Sequence, residues 1–98
     1  MSGIIRSSDG LDERRRRILF RARHRGMREM DLILGGFADA EIAALSDAEL
    51  ADFEELLEPE DQKVFSWVSG TEAIPPEFDT ELFRKICAFH FSGRGLPS

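Results

Sequence analysis

The sequence predicts an all-α fold, a small single-domain bundle of about five short helices. Three observations lead there. Apolar residues recur at steps of three and four through most of the chain. No segment alternates apolar and polar side chains long enough to make a strand, and no internal repeat is visible. Ser46-Asp47-Ala48-Glu49 is a capping box, in which a serine oxygen accepts from the amide three residues on and the glutamate reaches back. With 98 residues, 42% hydrophobic and 33% charged, the chain has material for one core and is too apolar to be disordered throughout.

The first helix is expected to be capped by Asp9 and to bury Leu11, Ile18, Leu19 and Ala22, which share one stripe. Arg14, Arg17, Arg21 and Arg25 then form a row on a different side, with a solvated face as the plain reading of such a run. Gly26 is expected to end this helix as a C′ residue at positive φ. A second helix follows from the spacing of Met27, Met30, Leu34 and Phe37, with Leu32 and Ile33 widening the stripe. Gly35 and Gly36 weaken it by about 1 kcal/mol each relative to alanine, so packing must compensate or the helix bends.

The third helix starts at the capping box and turns Leu50, Phe53, Leu56 and Leu57 to the core. Glu58-Pro59-Glu60-Asp61 closes it and opens a fourth, where acids suit the positive end of the helix dipole. Val64, Phe65, Trp67 and Val68 fill that helix and Gly70 stops it. Residues 71–76 read as an extended loop before two prolines. A fifth helix carries Phe78, Leu82, Ile86 and Phe89. Residues 1–12 and 92–98 are expected to be flexible ends around a domain spanning 13–91.

Charge is distributed unevenly. Residues 1–30 hold nine arginines against four acids, a balance of +5, and residues 31–98 hold four bases against fifteen acids, a balance of −11; together these give the net −6. A basic end and an acidic body suit a partner of mixed potential. Nucleic acid is the rival the arginines invite, but a helix-turn-helix drawn through Phe37 to Leu50 would turn Asp39, Glu41, Asp47 and Glu49 toward the groove. No nucleophile–base pair, paired carboxylates, phosphate-binding loop or dinucleotide fingerprint emerges, so the chain is read as a non-enzyme. His24 and His90 are isolated and Cys87 is the only cysteine, which excludes an internal disulfide and leaves no zinc-site spacing. No apolar run is long enough to span a membrane and no secretory signal opens the chain, which points to the cytoplasm. A mitochondrial matrix address is the alternative. The Arg6-Ser7-Ser8 start fits it, whereas Asp9, Asp12 and Glu13 do not.

The candidate site is the stretch around Gly26. Arg21, Arg23, Arg25, Arg28 and Glu29 ring a residue with no side chain, where a partner's backbone could approach closely. Glu29 lies four residues after Arg25, so the two pair if the helical turn persists across Gly26 and otherwise meet a partner separately. The plainer reading is a cap: Gly26 ends a helix and Glu29 favours the next one's N-terminus. Trp67 is read first as core, with an interface anchor as the alternative.

Arg25-Gly26-Met27-Arg28-Glu29 resembles the Arg-Gly-x-x-Glu motif of the SdhE family, the five-helix succinate dehydrogenase assembly factors that promote flavinylation. The resemblance continues through Arg17 to Arg23, Met30 to Leu34, Phe37, Leu45-Ser46, Phe53 to Leu57, Asp61, Phe65-Ser66-Trp67 and Pro75-Pro76, covering roughly residues 13–91. It implies a chaperone-like factor that binds the flavoprotein subunit of succinate dehydrogenase or fumarate reductase and promotes covalent FAD attachment. By that resemblance the factor binds no FAD stably itself, and Arg25, Gly26 and Glu29 belong to the functional surface with Arg28 and Asp31 as neighbours. A monomer is expected when free. A nucleic-acid-binding or antitoxin-like small helical protein is the alternative.

Overall fold

The structure, a computed structural model, describes residues 10–92. Five helices are present and, among the described residues, no strand. Helix α1 spans Glu13–Arg23. Helix α2 runs without a break through Arg28–Met30, a π-helical stretch at Asp31–Gly35, and Gly36–Glu41, and a 3₁₀ turn at Ile42–Ala44 follows it. Helices α3 and α4 span Asp47–Leu56 and Asp61–Ser69. A 3₁₀ turn at Pro76–Phe78 precedes α5, Glu81–Phe91.

Several local signals act as the sequence predicts. The Ser46 hydroxyl accepts from the Glu49 amide at 3.2 Å while the Glu49 carboxylate accepts from the Ser46 amide at 3.0 Å. Gly70 ends α4 at φ 82°, a conformation that costs glycine nothing. Asp9 lies outside the described residues, as do residues 1–8 and 93–98. The cap of α1 is Asp12, whose carboxylate accepts from the Arg15 amide at 2.8 Å. The reason is at Gly10, whose φ of 86° breaks any helix begun earlier. Leu11 packs against the core, so the folded domain already includes Leu11 and Asp12.

One apolar core joins all five helices. Ile18, Leu19 and Ala22 of α1 meet Met30, Leu34, Phe37 and Ala38 of α2, with Leu50, Phe53, Val64, Leu82, Phe83 and Ile86 closing it from the other side. Phe37 packs edge-on to Phe89 at 5.7 Å between ring centroids. Gly35 is buried where α1 crosses α2, and a β-carbon there would lie 3.3 Å from the Ala22 carbonyl oxygen. The expected weak point of α2 is therefore a helix crossing, and the stretch around it takes the π form. Leu32 does not widen the core stripe. Two residues from both Met30 and Leu34, it falls on the opposite side of the helix and is exposed. Phe78 belongs to the 3₁₀ turn before α5 rather than to α5, and it stacks on Trp67 at 5.0 Å.

The arginine row is not a solvated face. Arg14 forks onto Glu54 of α3 at 3.1 and 2.8 Å, Arg21 reaches Glu58 at 2.9 Å, and Arg25 reaches Asp61 at 2.7 Å. Only Arg17 stays on its own helix, 3.8 Å from Glu13. The hydrogen bond from Arg14 holds the Glu54 carboxyl below the usual glutamate range. Arg15 turns the other way and donates to the carbonyls of Ile42 and Leu45 at the end of α2. Arg23 pairs with Asp39 of α2. The basic end and the acidic body thus complement each other within one molecule. Among the described residues no helix is long and apolar enough to cross a membrane, and no group of three or more His, Cys, Asp or Glu residues is placed to hold a metal ion.

Candidate docking corner

Four residues, His24 to Met27, carry the chain from α1 into α2. His24 leaves helical geometry at φ −122°, ψ 60°, and Met27 is extended at φ −122°, ψ 135°. Gly26 does not take positive φ. The expected C′ role fails because the chain turns through extended residues. Glycine is needed there for proximity instead: the Gly26 amide donates to Asp61 Oδ2 at 2.6 Å, and a β-carbon at position 26 would lie 3.2 Å from that oxygen.

Arg25 faces inward. Its Nε donates to Asp61 Oδ1 at 2.7 Å, Nη1 to the Leu57 carbonyl at 3.1 Å and Nη2 to the Pro59 carbonyl at 3.4 Å. The Arg25 side chain is only 11% exposed and that of Asp61 13%. Arg25 is therefore neither paired with Glu29 nor free to donate to another protein. Its guanidinium donates to carbonyls at the α3–α4 turn while pairing with the acid that opens α4, a use suited to its planar fork. The Arg25 amide donates to Asp31 Oδ1 at 2.6 Å, so Asp31 ties the corner to α2.

The outward half is different. Gly26, Arg28 and Glu29 are exposed. Among the described residues the side chains of Arg28 and Glu29 have no hydrogen bond or ion pair. Met27 supplies no side-chain cap, so the Arg28 and Glu29 amides are also open, while the Met30 amide donates to the Met27 carbonyl at 3.1 Å. Leu32 lies four residues beyond Arg28 and three beyond Glu29, on the same exposed side. At the end of α1, Phe20 stacks on His24 with centroids 3.9 Å apart while remaining 61% exposed.

The candidate residues thus separate into two groups. Gly26, Arg28 and Glu29 come together at the surface. Arg25 and Asp31 lie behind them as supports, and Arg21 is engaged with Glu58. Trp67 is 8% exposed and stacked on Phe78, which fits the core reading and not the anchor reading. Sequence reasoning missed the second role of Asp61, read only as a helix-start acid. The available signal was the spacing of Glu54, Glu58 and Asp61, which keeps step with the arginine row. It also missed Phe20, which falls outside the α1 stripe.

The chain matches the sequence model of the family described as "flavinator of succinate dehydrogenase" over residues 16–90. It belongs to that family. It is 39% identical over 85 residues to the FAD assembly factor SdhE of Acetobacter pasteurianus, a match covering 87% of this chain and 76% of that one. It is 34% identical over 76 residues to the mitochondrial succinate dehydrogenase assembly factor 2 of Dictyostelium discoideum, covering 78% of this chain and 54% of that one. Identity to the mitochondrial assembly factor 2-B of Drosophila melanogaster is 33% over 84 residues, 84% and 54% of the two chains. The chain spans about three quarters of the bacterial relative's length and about half of the mitochondrial ones. Flavinator relatives therefore occur in bacteria and among mitochondrial proteins, and the matched region contains the whole corner together with Asp61.

Proposed function

We propose that this flavinator-family chain promotes covalent FAD attachment by binding the flavoprotein subunit of succinate dehydrogenase through the Gly26–Arg28–Glu29 corner. The observation that carries the reading is the division of the motif. Its inward residues are held by α2, by α4 and by the turn between α3 and α4, while Arg28 and Glu29, opposite in charge and adjacent, stand unpaired at the surface close to a residue with no side chain. The backbone that carries these charges is already fixed and need not be ordered on docking, and a glycine lets a partner backbone come close. Leu32 and the Phe20–His24 pair add apolar and aromatic area on either side, the composition expected around a binding hot spot.

In this role the chain is a holder rather than a catalyst. The flavoprotein and its flavin carry out the bond formation, and this chain fixes the arrangement in which it occurs. FAD stays with the flavoprotein throughout. The corner also contradicts a nucleic-acid reading, since most of the arginines that suggested phosphate contacts are bound to carboxylates and carbonyls of the chain itself.

Co-expression with the flavoprotein subunit, read by in-gel flavin fluorescence, tests this function. Glu29→Ala is expected to lower covalent flavin at least fivefold with an unchanged far-UV circular dichroism spectrum. Gly26→Arg is expected to abolish complex formation. Full flavinylation by both folded variants would remove the corner from the function.

A further inference from the structure

We propose that Asp61 is the positioning residue of the flavinator corner, a role that rests on the docking function proposed for Gly26, Arg28 and Glu29. Its carboxylate divides its two oxygens between two different parts of the motif. Oδ1 takes the Arg25 guanidinium, with Nε and Nη2 each at 2.7 Å, and Oδ2 takes the Gly26 backbone amide at 2.6 Å. One side chain from α4 thereby sets both the arginine and the backbone of the glycine beside it. The same Oδ2 limits the space at position 26, since it would lie 3.2 Å from an added β-carbon.

Chemistry makes aspartate hard to replace at this site. Both partners are N–H donors, so both oxygens must accept, and a carboxylate is the group that offers two acceptors without a donor. An asparagine has nearly the same shape but one acceptor. Whichever way it is turned, its NH₂ faces either the Arg25 fork or the Gly26 amide, donor against donor. Asp61 also opens α4, where a negative charge is favoured by the helix dipole, and its side chain is only 13% exposed. The remaining hold on the corner comes from Asp31, which accepts from the Arg25 amide on the α2 side, and from the Leu57 and Pro59 carbonyls, which accept from the Arg25 guanidinium. Releasing Asp61 removes the only bond to the Gly26 amide among the described residues, so the backbone that leads into Arg28 and Glu29 at the start of α2 is no longer fixed against α4.

A positioning role differs from simple stabilisation because its loss is felt only through the residues it positions. The decisive experiment is a double-mutant cycle on the affinity of the full chain for the recombinant flavoprotein subunit, measured calorimetrically well below the unfolding temperature of every variant. Asp61→Asn is expected to weaken binding at least fivefold. In the Glu29→Ala background the same substitution is expected to weaken it less than twofold further. Amide resonances of Gly26 and Glu29 should shift in Asp61→Asn while those of Leu50, Phe53 and Ile86 stay in place. If Asp61→Asn does not fold, Asp61→Glu takes its place, keeping both acceptors but displacing Gly26; the same non-additive loss is expected. Wild-type affinity in a folded Asp61 variant, or losses that multiply with Glu29→Ala, would overturn the positioning role. Wild-type affinity in Glu29→Ala itself would instead refute the docking function on which it rests.

Discussion

Arg25 and Arg28 stand three residues apart, on either side of Gly26, and are put to opposite uses. Arg25 points into the α3–α4 turn, is 11% exposed, and donates to a carboxylate and two carbonyls. Arg28 opens α2, is exposed, and has no partner among the described residues. Two arginines in one short motif thus answer different physical requirements. One fixes the shape of the corner, and the other, with Glu29, is what the corner presents. The cap reading of Gly26 fails, the inward half of the motif is a structural tie to α4, and docking is the role proposed for the outward half.

The largest expected effect breaks the comparison directly. Arg25→Ala leaves a mostly buried carboxylate without its cation and should destabilise the fold by about 2–3 kcal/mol, lowering the thermal midpoint by roughly 10 °C or more. Arg28→Ala should stay within about 0.5 kcal/mol of wild type, as exposed substitutions usually do. Denaturant unfolding of the pair decides it, and equal effects would erase the distinction between the two sides.

A smaller effect contrasts two glycines. At Gly35 an added methyl meets backbone, the Ala22 carbonyl oxygen at 3.3 Å and Arg23 Cα at 3.4 Å, neither of which moves without shifting α1. Gly35→Ala should therefore cost about 1 kcal/mol net, despite helix propensity favouring alanine by a similar amount. Gly26→Ala meets only a side-chain oxygen at an exposed site, so its effect should appear more in partner binding than in unfolding.

The smallest effect concerns pH. Glu54 is held low first by the Arg14 hydrogen bond, and Glu49 first by that of Lys85 and then by the Ser46 amide. Groups depressed in the folded state contribute stability above their unfolded pKa and lose it as pH falls through the folded one. Stability should thus be level from neutral pH to about pH 5 and decline below it, with Glu54→Gln making the decline shallower. Both carboxylates are partly solvated, so the change per group is modest. An unaltered acid limb in Glu54→Gln would mean that the ladder between α1 and α3 contributes little.

The helices were legible because their causes are local. Ser46 and Glu49 meet within one turn, Gly70 stops α4 by its own backbone, and Leu50, Phe53 and Leu57 share a face by spacing alone. What could not be read from a local window was who meets whom. The Arg14–Glu54 and Arg25–Asp61 pairs join residues about 40 positions apart, and nothing in the arginine row alone distinguishes a wet face from a ladder. The corner itself was half legible. Its location followed from Arg25, Gly26 and Glu29, but its orientation did not, since that depends on an aspartate in another helix. The stripe left Trp67 open between core and interface anchor, and the structure buries it; Leu32 reads as core from its neighbours but is exposed, and Phe20 falls outside the stripe altogether.

Hydrogen exchange of the chain, free and bound to the flavoprotein subunit, tests the central claim most directly. The first-turn amides of α2 at Arg28 and Glu29 have no partner within their helix and should exchange rapidly in the free chain. On binding they are expected to gain protection of at least tenfold, with α5 unchanged. Protection gained on α5 or α3 while Arg28 and Glu29 keep their free rates would contradict the account.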